Sequence, residues 1–241
     1  MVISNERLQA VQADIKKAVT KRDTEHIVNQ TGEVTLLAVS KAQTAEKLRE
    51  AYEAGQTKFG ENYLQEALNK QAELADLNIE WHFIGPIQSN KTQLIAQHFT
   101  WVHGVDRLKI AQRLSDARPA DLPPLQICLQ VNISGETSKS GVTPNELLDL
   151  VRTVCALPKL TLRGLMTIPE PTDDEALQHQ QFKQMRDLLN DLNKQGFALN
   201  TLSMGMSSDY KVAIEEGATI IRVGSAIFGA RPEKARLEDS Y

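Results

Sequence analysis

Strand-like and helix-like segments alternate along almost the whole chain, and this pattern constrains the fold more than any other feature of the sequence. Eight short apolar or alternating runs are typical of strands, and each is followed by a segment with apolar residues at helical spacing. Such alternation indicates a parallel sheet with helices packed against it. The predicted strands are residues 34–39, 58–60, 81–84, 101–103, 125–131, 162–168, 199–204 and 219–223.

The number of strand–helix units suits a closed barrel, a fold that usually takes about 250 residues. An open doubly wound sheet is the alternative, but the Gly-x-Gly-x-x-Gly motif that binds a dinucleotide is absent after the first strand. A further helix precedes the first strand, with an apolar stripe from Leu8 to Val19. Because no Ser/Gly-rich linker divides the chain, we predict one α/β domain over residues 1–241, a TIM-type (β/α)8 barrel with an extra N-terminal helix.

Charge and hydropathy exclude several classes of protein. The net charge is −4, with no run of five like charges, which argues against binding along a nucleic-acid backbone. The sequence has no stretch of 18 apolar residues that would span a membrane, and its start lacks the features of a secretory signal. Cys128 and Cys155 are its only cysteines, which favours a reducing, cytoplasmic location. We expect neither nucleic acid nor membrane as a partner.

Lys41 is the first candidate for chemistry, because it follows the first predicted strand and such barrels carry their chemistry at the carboxyl ends of the strands. Desolvation at the mouth of an apolar barrel lowers the pKa of an amine, and the neutral amine attacks an aldehyde to form a Schiff base. The alternative is an ordinary surface lysine in a loop.

Two Gly/Ser-rich turns follow the seventh and eighth strands, at residues 203–209 and 222–225. Barrels of this type commonly hold phosphate between these two loops, where free backbone N–H groups and a helix N-terminus converge. Ser207 and Ser225 add hydroxyl donors. The alternative is a pair of ordinary helix caps.

Other polar residues in or after the strands are less specific. Arg222 lies near the end of the eighth strand and needs an acceptor, for which an ion pair with Glu61 or Glu215 is an alternative to a functional role. His82 lies inside the third strand, where a buried core histidine is the simpler interpretation. Asn62 follows the second strand, where a helix cap is the alternative to a functional role. No residue cluster has metal-ligand spacing, and no Gly-x-Ser-x-Gly elbow occurs.

A lysine and a phosphate cradle at one barrel mouth indicate a phosphorylated carbonyl compound held as an imine. Two classes of protein satisfy this description. One is a class I aldolase acting on a sugar phosphate, and the other is a protein that holds pyridoxal 5′-phosphate (PLP).

Six motifs follow one another along the chain, at residues 38–41, 59–63, 81–91, 164–168, 203–209 and 222–229. Together they resemble the pyridoxal phosphate homeostasis protein family, single-domain relatives of the alanine racemase barrel. The resemblance covers about residues 30–231. It implies that Lys41 is the Schiff-base lysine, that Ser207, Gly224 and Ser225 hold the phosphate, and that Arg222 lies beside the pyridine nitrogen. It also implies that Asn62, His82 and Met204 line the site.

The resemblance implies a protein that carries or buffers PLP in vitamin B6 homeostasis, with no catalytic residues. Alanine racemase takes a second acid/base from an added β-domain and a partner subunit, and we expect neither here because the sequence stops at Tyr241, after the eighth unit. We therefore predict a monomer. An arginine beside the pyridine nitrogen also leaves that nitrogen unprotonated and a poor electron sink. The alternatives are a weak amino-acid racemase and the aldolase.

A polar loop, residues 134–141, follows the fifth strand and therefore lies at the same barrel face. Its single amine, Lys139, could take up the aldehyde transiently and pass PLP to apo enzymes that act as acceptors. The alternative is a solvated loop lysine.

Overall fold

The computed structural model of the protein describes residues 2–29, 31–135 and 140–229, with side chains from residue 5 onward. Eight parallel strands form a closed barrel in which each strand pairs with the next and the last pairs with the first. The predicted TIM-type (β/α)8 fold is confirmed. Lys139 lies outside the described residues. The strands are β1 Thr35–Val39, β2 Lys58–Glu61, β3 Glu80–Phe83, β4 Trp101–Val105, β5 Leu125–Gln130, β6 Leu160–Met166, β7 Thr201–Ser203 and β8 Ile220–Val223.

Helices surround the barrel, and two single turns of 3-10 helix, Thr24–His26 and Ser89–Lys91, lie between elements. The start of α6 carries a capping box, in which Thr143 and Glu146 satisfy each other's backbone N–H groups. The helices are α1 Val2–Lys21, α2 Ala45–Glu53, α3 Leu64–Glu73, α4 Thr92–His98, α5 Leu108–Ala117, α6 Pro144–Cys155, α7 Glu175–Lys194, α8 Tyr210–Glu215 and α9 Ser225–Phe228.

The predicted N-terminal helix is present as α1, and it packs outside the ring against α8 and α9. Leu8, Val11 and Ile15 are buried on its inner face, while Val19 is only partly buried. The helix therefore supports the end of the barrel wall that β8 and α9 form.

Two apolar layers follow from the alternation of side chains along each strand. The main layer lies between the strands and the helices and includes Ala38 and Phe59. A smaller cluster of Leu37, Ile84 and Ile220 lies inside the barrel, with Val39 and Trp101 packed against it. The inside of the barrel is also polar, since His82, His103 and Arg222 are buried there.

The sixth strand ends two residues earlier than the predicted range, because its last predicted residues turn toward the barrel mouth. Thr167 Oγ1 donates to Val131 O at 3.0 Å, and the Thr167 carbonyl accepts from Arg222. Ile168 is then exposed at the mouth. In the part of the chain that the structure describes, no helix is both long enough and apolar enough to cross a membrane.

Candidate functional site

A cavity of about 460 Å³ opens at the carboxyl ends of the strands. Because all strands of a parallel barrel end on one side, residues far apart in sequence meet there. Apolar side chains, including Val39, Ile84 and Ile168, form part of its wall. Six of the residues singled out from the sequence line this cavity, namely Lys41, Asn62, Ser207, Arg222, Gly224 and Ser225.

The two remaining candidates, His82 and Met204, lie elsewhere. His82 is buried inside the barrel and stacks on Trp101, with ring centroids 5.4 Å apart and planes within 4°. Met204 is fully buried in the main apolar layer between strands and helices. Neither lines the cavity as the structure describes it.

Lys41 lies on a tight turn at the end of β1. The Ser40 N–H donates to Gly60 O, which continues the ladder to β2 for one residue, and Gln43 N–H then donates to Ser40 O at 3.0 Å. This hydrogen bond closes a turn over Lys41 and Ala42, and Ala42 takes a left-handed backbone with φ 60°. The turn presents the Lys41 side chain to the cavity.

Asn62 brings an acceptor to the cavity from the end of β2, the strand that neighbours β1. Its Oδ1 is buried, and none of the described residues donates a hydrogen bond to it. The backbone of Asn62 lies against Gly85, where an added Cβ would be 2.3 Å from the Asn62 carbonyl oxygen. Only glycine at position 85 therefore allows the ends of β2 and β3 to approach this closely. An unpartnered buried acceptor is costly in isolation and suits a polar ligand.

The loops after β7 and β8 form a cradle of donors at one side of the cavity. Asp209 Oδ1 accepts from Met206 N–H at 2.6 Å and holds the first loop, which contains Ser207. Gly224 precedes α9, and the N–H groups of Ser225 and Ala226 lie in its first turn, where no helical carbonyl can accept them. Hydroxyl and backbone N–H donors together suit an anion such as a phosphate.

Arg222 is buried at the floor of the cavity and has two fixed partners. Its Nη1 donates to Ser203 Oγ at 2.8 Å, and its Nη2 donates to Thr167 O at 2.7 Å. Burial lowers the pKa of Arg222 to about 10, so the guanidinium remains charged at neutral pH. The ion pair with Glu61 or Glu215 that the sequence left open does not form, because those carboxylates pair with Lys70 and with Lys21.

A chain of hydrogen bonds runs from Arg222 through the barrel interior to the opposite face. Ser203 Oγ lies 2.7 Å from His103 Nδ1, and His103 Nε2 lies 2.9 Å from His82 Nδ1. His82 Nε2 lies 2.9 Å from Glu80 Oε1, which also pairs with Lys58 at 3.3 Å. The chain thus joins the cavity floor to the first residue of β3.

The direction of every bond in this chain follows from its two ends. Burial lowers the pKa of both His82 and His103, so both rings are neutral at pH 7. The pKa of Glu80 is lowered to about 2, chiefly by its bond to His82, so this carboxylate accepts from His82 Nε2–H. His82 Nδ1 then accepts from His103 Nε2–H, and His103 Nδ1 accepts from the Ser203 hydroxyl. Ser203 is left to accept from Arg222, which can only donate.

Sequence reasoning missed Ser203 and His103 as partners of the cavity floor. The available signal was their position in the alternation of side chains, since both are polar residues on the inward side of their strands. Their contact spans β4 and β7, which are not neighbours in the barrel, so no local pattern reveals it. Among the described residues, no group of His, Cys, Asp and Glu side chains could hold a metal ion.

The chain is similar to a known protein family and to several named relatives. The family profile of the alanine racemase N-terminal domain matches residues 15–232. A Pseudomonas aeruginosa protein called pyridoxal phosphate homeostasis protein is 65% identical over 198 residues, which are 82% of this chain and 85% of that protein. The Escherichia coli protein of the same name is 50% identical over 202 residues, 83% of this chain and 86% of the relative.

Two solved structures are also similar to this chain. PipY of Synechococcus elongatus, solved with PLP bound, is 38% identical, with a TM-score of 0.80 over 94% of this chain and 100% of its own. An alanine racemase of Clostridium difficile is only 14% identical, with a TM-score of 0.70 over 95% of this chain and 58% of that chain. The second similarity concerns the fold alone.

Proposed function

The chain belongs to the pyridoxal phosphate homeostasis protein family, and from this premise we propose that it binds PLP in the cavity at the barrel mouth and carries or buffers it in the cell. The observation that supports the proposal most is the meeting of Lys41, Arg222 and the two Ser/Gly loops around one cavity. These three groups match the three polar ends of PLP, which are an aldehyde, a pyridine nitrogen and a phosphate.

The residues present fit this cofactor. Ser207 and Ser225, together with the N–H groups around Gly224, hold the phosphate through neutral donors and the helix end. Asn62 offers an acceptor that lacks a partner among the described residues, which suits a ring hydroxyl donor. When bound, PLP would supply an aldehyde, and Lys41 is the residue whose amine would hold it covalently, with loss of one water. His82 and Met204 support the site from behind its walls rather than by contact.

The environment of Arg222 supports a carrier rather than an enzyme. Arg222 can only donate, and its charge keeps a neighbouring pyridine nitrogen unprotonated, which weakens the ring as an electron sink. Racemisation also needs an acid/base group on each face of the substrate. Among the described residues that line the cavity, the titratable side chains are Lys41 and Arg222, and the second cannot exchange protons readily.

We further propose that this single-domain protein is a cytoplasmic monomer that delivers PLP to apo enzymes. Cys128 and Cys155 are free thiols, as a reducing compartment requires. The opening of the cavity at the barrel mouth leaves bound PLP accessible to an acceptor.

The test is the absorption spectrum of the purified protein before and after borohydride. We expect a visible band that borohydride abolishes, with the cofactor then fixed to Lys41 and located by peptide mass spectrometry. Lys41→Ala should remove both the band and the label, because the replacement has no amine. Assays with amino acids should detect no racemisation.

Lys109→Ala provides the matched control, since Lys109 is an exposed lysine on α5, away from the cavity. This variant should keep the band and the label. A band and a label that survive in Lys41→Ala would contradict the assignment. A colourless protein that cleaves sugar phosphates would favour the aldolase instead.

A further inference from the structure

An ion cluster of Glu61, Glu66 and Lys70 lies behind the turn that carries Lys41. The Lys70 ammonium of α3 donates to Glu61 Oε1 at 2.7 Å and also to Glu66 Oε1. Glu61 is fully buried and the Lys70 side chain is 5% exposed, while Glu66 is partly exposed. The cluster lies outside the barrel wall, and none of its three residues lines the cavity.

The cluster contacts the chain on both sides of Lys41. Lys70 Nζ donates its third hydrogen bond to Ser40 O at 2.7 Å. Glu66 Oε1 accepts from Ala42 N–H at 2.6 Å. The Ser40 hydroxyl donates to Glu61 Oε1. Both residues that flank Lys41 are therefore bound to one set of charged side chains on β2 and α3.

Ala42 shows why such a restraint is needed. Its φ of 60° lies in the left-handed region, which a non-glycine residue adopts at a penalty on the order of tenfold in population. The hydrogen bond from Ala42 N–H to Glu66 compensates for this strain. Without it, the turn would relax to ordinary backbone angles, and Lys41 would point along a different path.

The composition of the cluster also argues against a role in stability alone. Two carboxylates share one ammonium, and Glu61 Oε2 is buried without a partner among the described residues. Burial raises the pKa of Glu61, which shows how strongly this environment opposes the charge. Buried ion pairs are seldom more stabilising than apolar side chains of the same volume.

We propose that Glu66 and Lys70 are positioning residues for Lys41, holding the turn of residues 40–42 so that the amine meets the aldehyde of PLP. This inference rests on the proposed function, because it concerns the covalent bond of Lys41. Removal of the restraint leaves the competent turn as a minor conformer, and the apparent affinity falls by that fraction.

The experiment measures the binding of two ligands to the Glu66→Ala variant. Glu66 is chosen over Lys70 because Lys70→Met would remove the cation paired with the buried Glu61 and could unfold the protein. We expect the dissociation constant of PLP to rise roughly tenfold. Pyridoxine 5′-phosphate has the same ring and phosphate but no aldehyde, so its dissociation constant should not change. Glu73→Ala, an exposed glutamate at the end of the same helix, should leave both constants unchanged.

Rescue by glycine separates this role from a general loss of structure. Ala42→Gly removes the backbone penalty at φ 60°, so in the Glu66→Ala protein it should restore PLP affinity to within about threefold of the original. Equal weakening of both ligands, unchanged PLP binding, or no rescue would each overturn the positioning role. Borohydride labelling of the original protein tests the premise, since a label on another lysine overturns the proposed bond and the positioning role with it.

Discussion

At the scale of single residues, the site depends on groups whose backbone is held by neighbours. Lys41 directly precedes the strained Ala42, and Ser207 lies in a loop that Asp209 closes by accepting from Met206 N–H. Gly224 packs against the end of β1, where an added Cβ would be 3.1 Å from Val39 O. The chemistry of the cavity therefore follows from restrained backbone as much as from side-chain type.

The phosphate cradle gives a prediction at this scale. Hydrogen bonds to a charged group contribute about 1.5–3 kcal/mol each. Replacing Ser207 and Ser225 together by alanine should therefore weaken PLP binding by about a hundredfold or more, measured by equilibrium titration. Pyridoxal has the aldehyde and ring without the phosphate, so its affinity should change little. Equal losses for the two ligands would place the phosphate elsewhere.

At the scale of elements, glycines set how closely neighbouring strands approach. Gly164 in β6 lies directly against β7, and an added Cβ would be 1.9 Å from the carbonyl oxygen of Thr201. That neighbour is backbone and cannot rotate away. The short β7 can pair with β6 only because β6 has no side chain at this position. This pairing places Ser203 of β7 within hydrogen-bond distance of Arg222.

Gly164→Ala should consequently lower the free energy of unfolding by about 3 kcal/mol, the upper range for overpacking a well-packed core. Urea denaturation provides the measurement. Gly196→Ala is the control for crowding, because no atom lies within 4 Å of an added Cβ there, while its φ of 95°, unlike that of Gly164, is in the left-handed region. Its loss should be only about 1–2 kcal/mol, from backbone strain. Similar losses in the two variants would contradict the close approach of β6 and β7.

At the scale of the whole molecule, the barrel encloses a polar axis. The chain from Arg222 through His103 and His82 to Glu80 links the cavity floor to the opposite face, across strands distant in sequence. Its rings are neutral and oriented by an ionised carboxylate. Protonation of either ring would place two donors face to face and break the order of the chain.

Stability should therefore fall as the pH drops below about 6.5, the ordinary pKa of histidine. Burial lowers the folded-state pKa of His82 and His103, so below this pH the unfolded chain binds more protons than the folded one. As the pH falls, each histidine lowers the free energy of unfolding by up to about 1.4 kcal/mol per pH unit, until the pH reaches its folded-state pKa. Glu80, with a folded-state pKa of about 2, loses its contribution as the pH falls from about 4.5.

Urea midpoints between pH 7.5 and 5.5 measure this slope. His103→Gln should flatten it while lowering stability at pH 7.5, because the variant cannot take up a proton at this position. His98→Gln should keep the slope, since His98 is exposed on α4. An unchanged slope in His103→Gln would show that the barrel interior does not oppose protonation.

The sequence by itself determined the architecture and which residues lie at the barrel mouth. Alternating strand and helix patterns are local, and closure of eight units follows from their number, so the fold and the N-terminal helix could be predicted. Lys41, Ser207 and Gly224 could be placed at one face because each follows a strand, and all strands of the barrel point the same way.

Only the tertiary structure decided which polar side chains meet. His82 matched a motif expected to line the site, yet it faces His103 and Glu80 inside the barrel. Lys70 of α3 was not among the candidates, yet it is buried and donates to both Glu61 and Ser40. These contacts join elements that are separate in sequence, and their geometry depends on side-chain direction and on close approach at glycines. Hydrophobic periodicity gives neither the direction of a side chain nor the distance between two elements. It shows which residues of one element are buried, but not which residue they contact across the barrel.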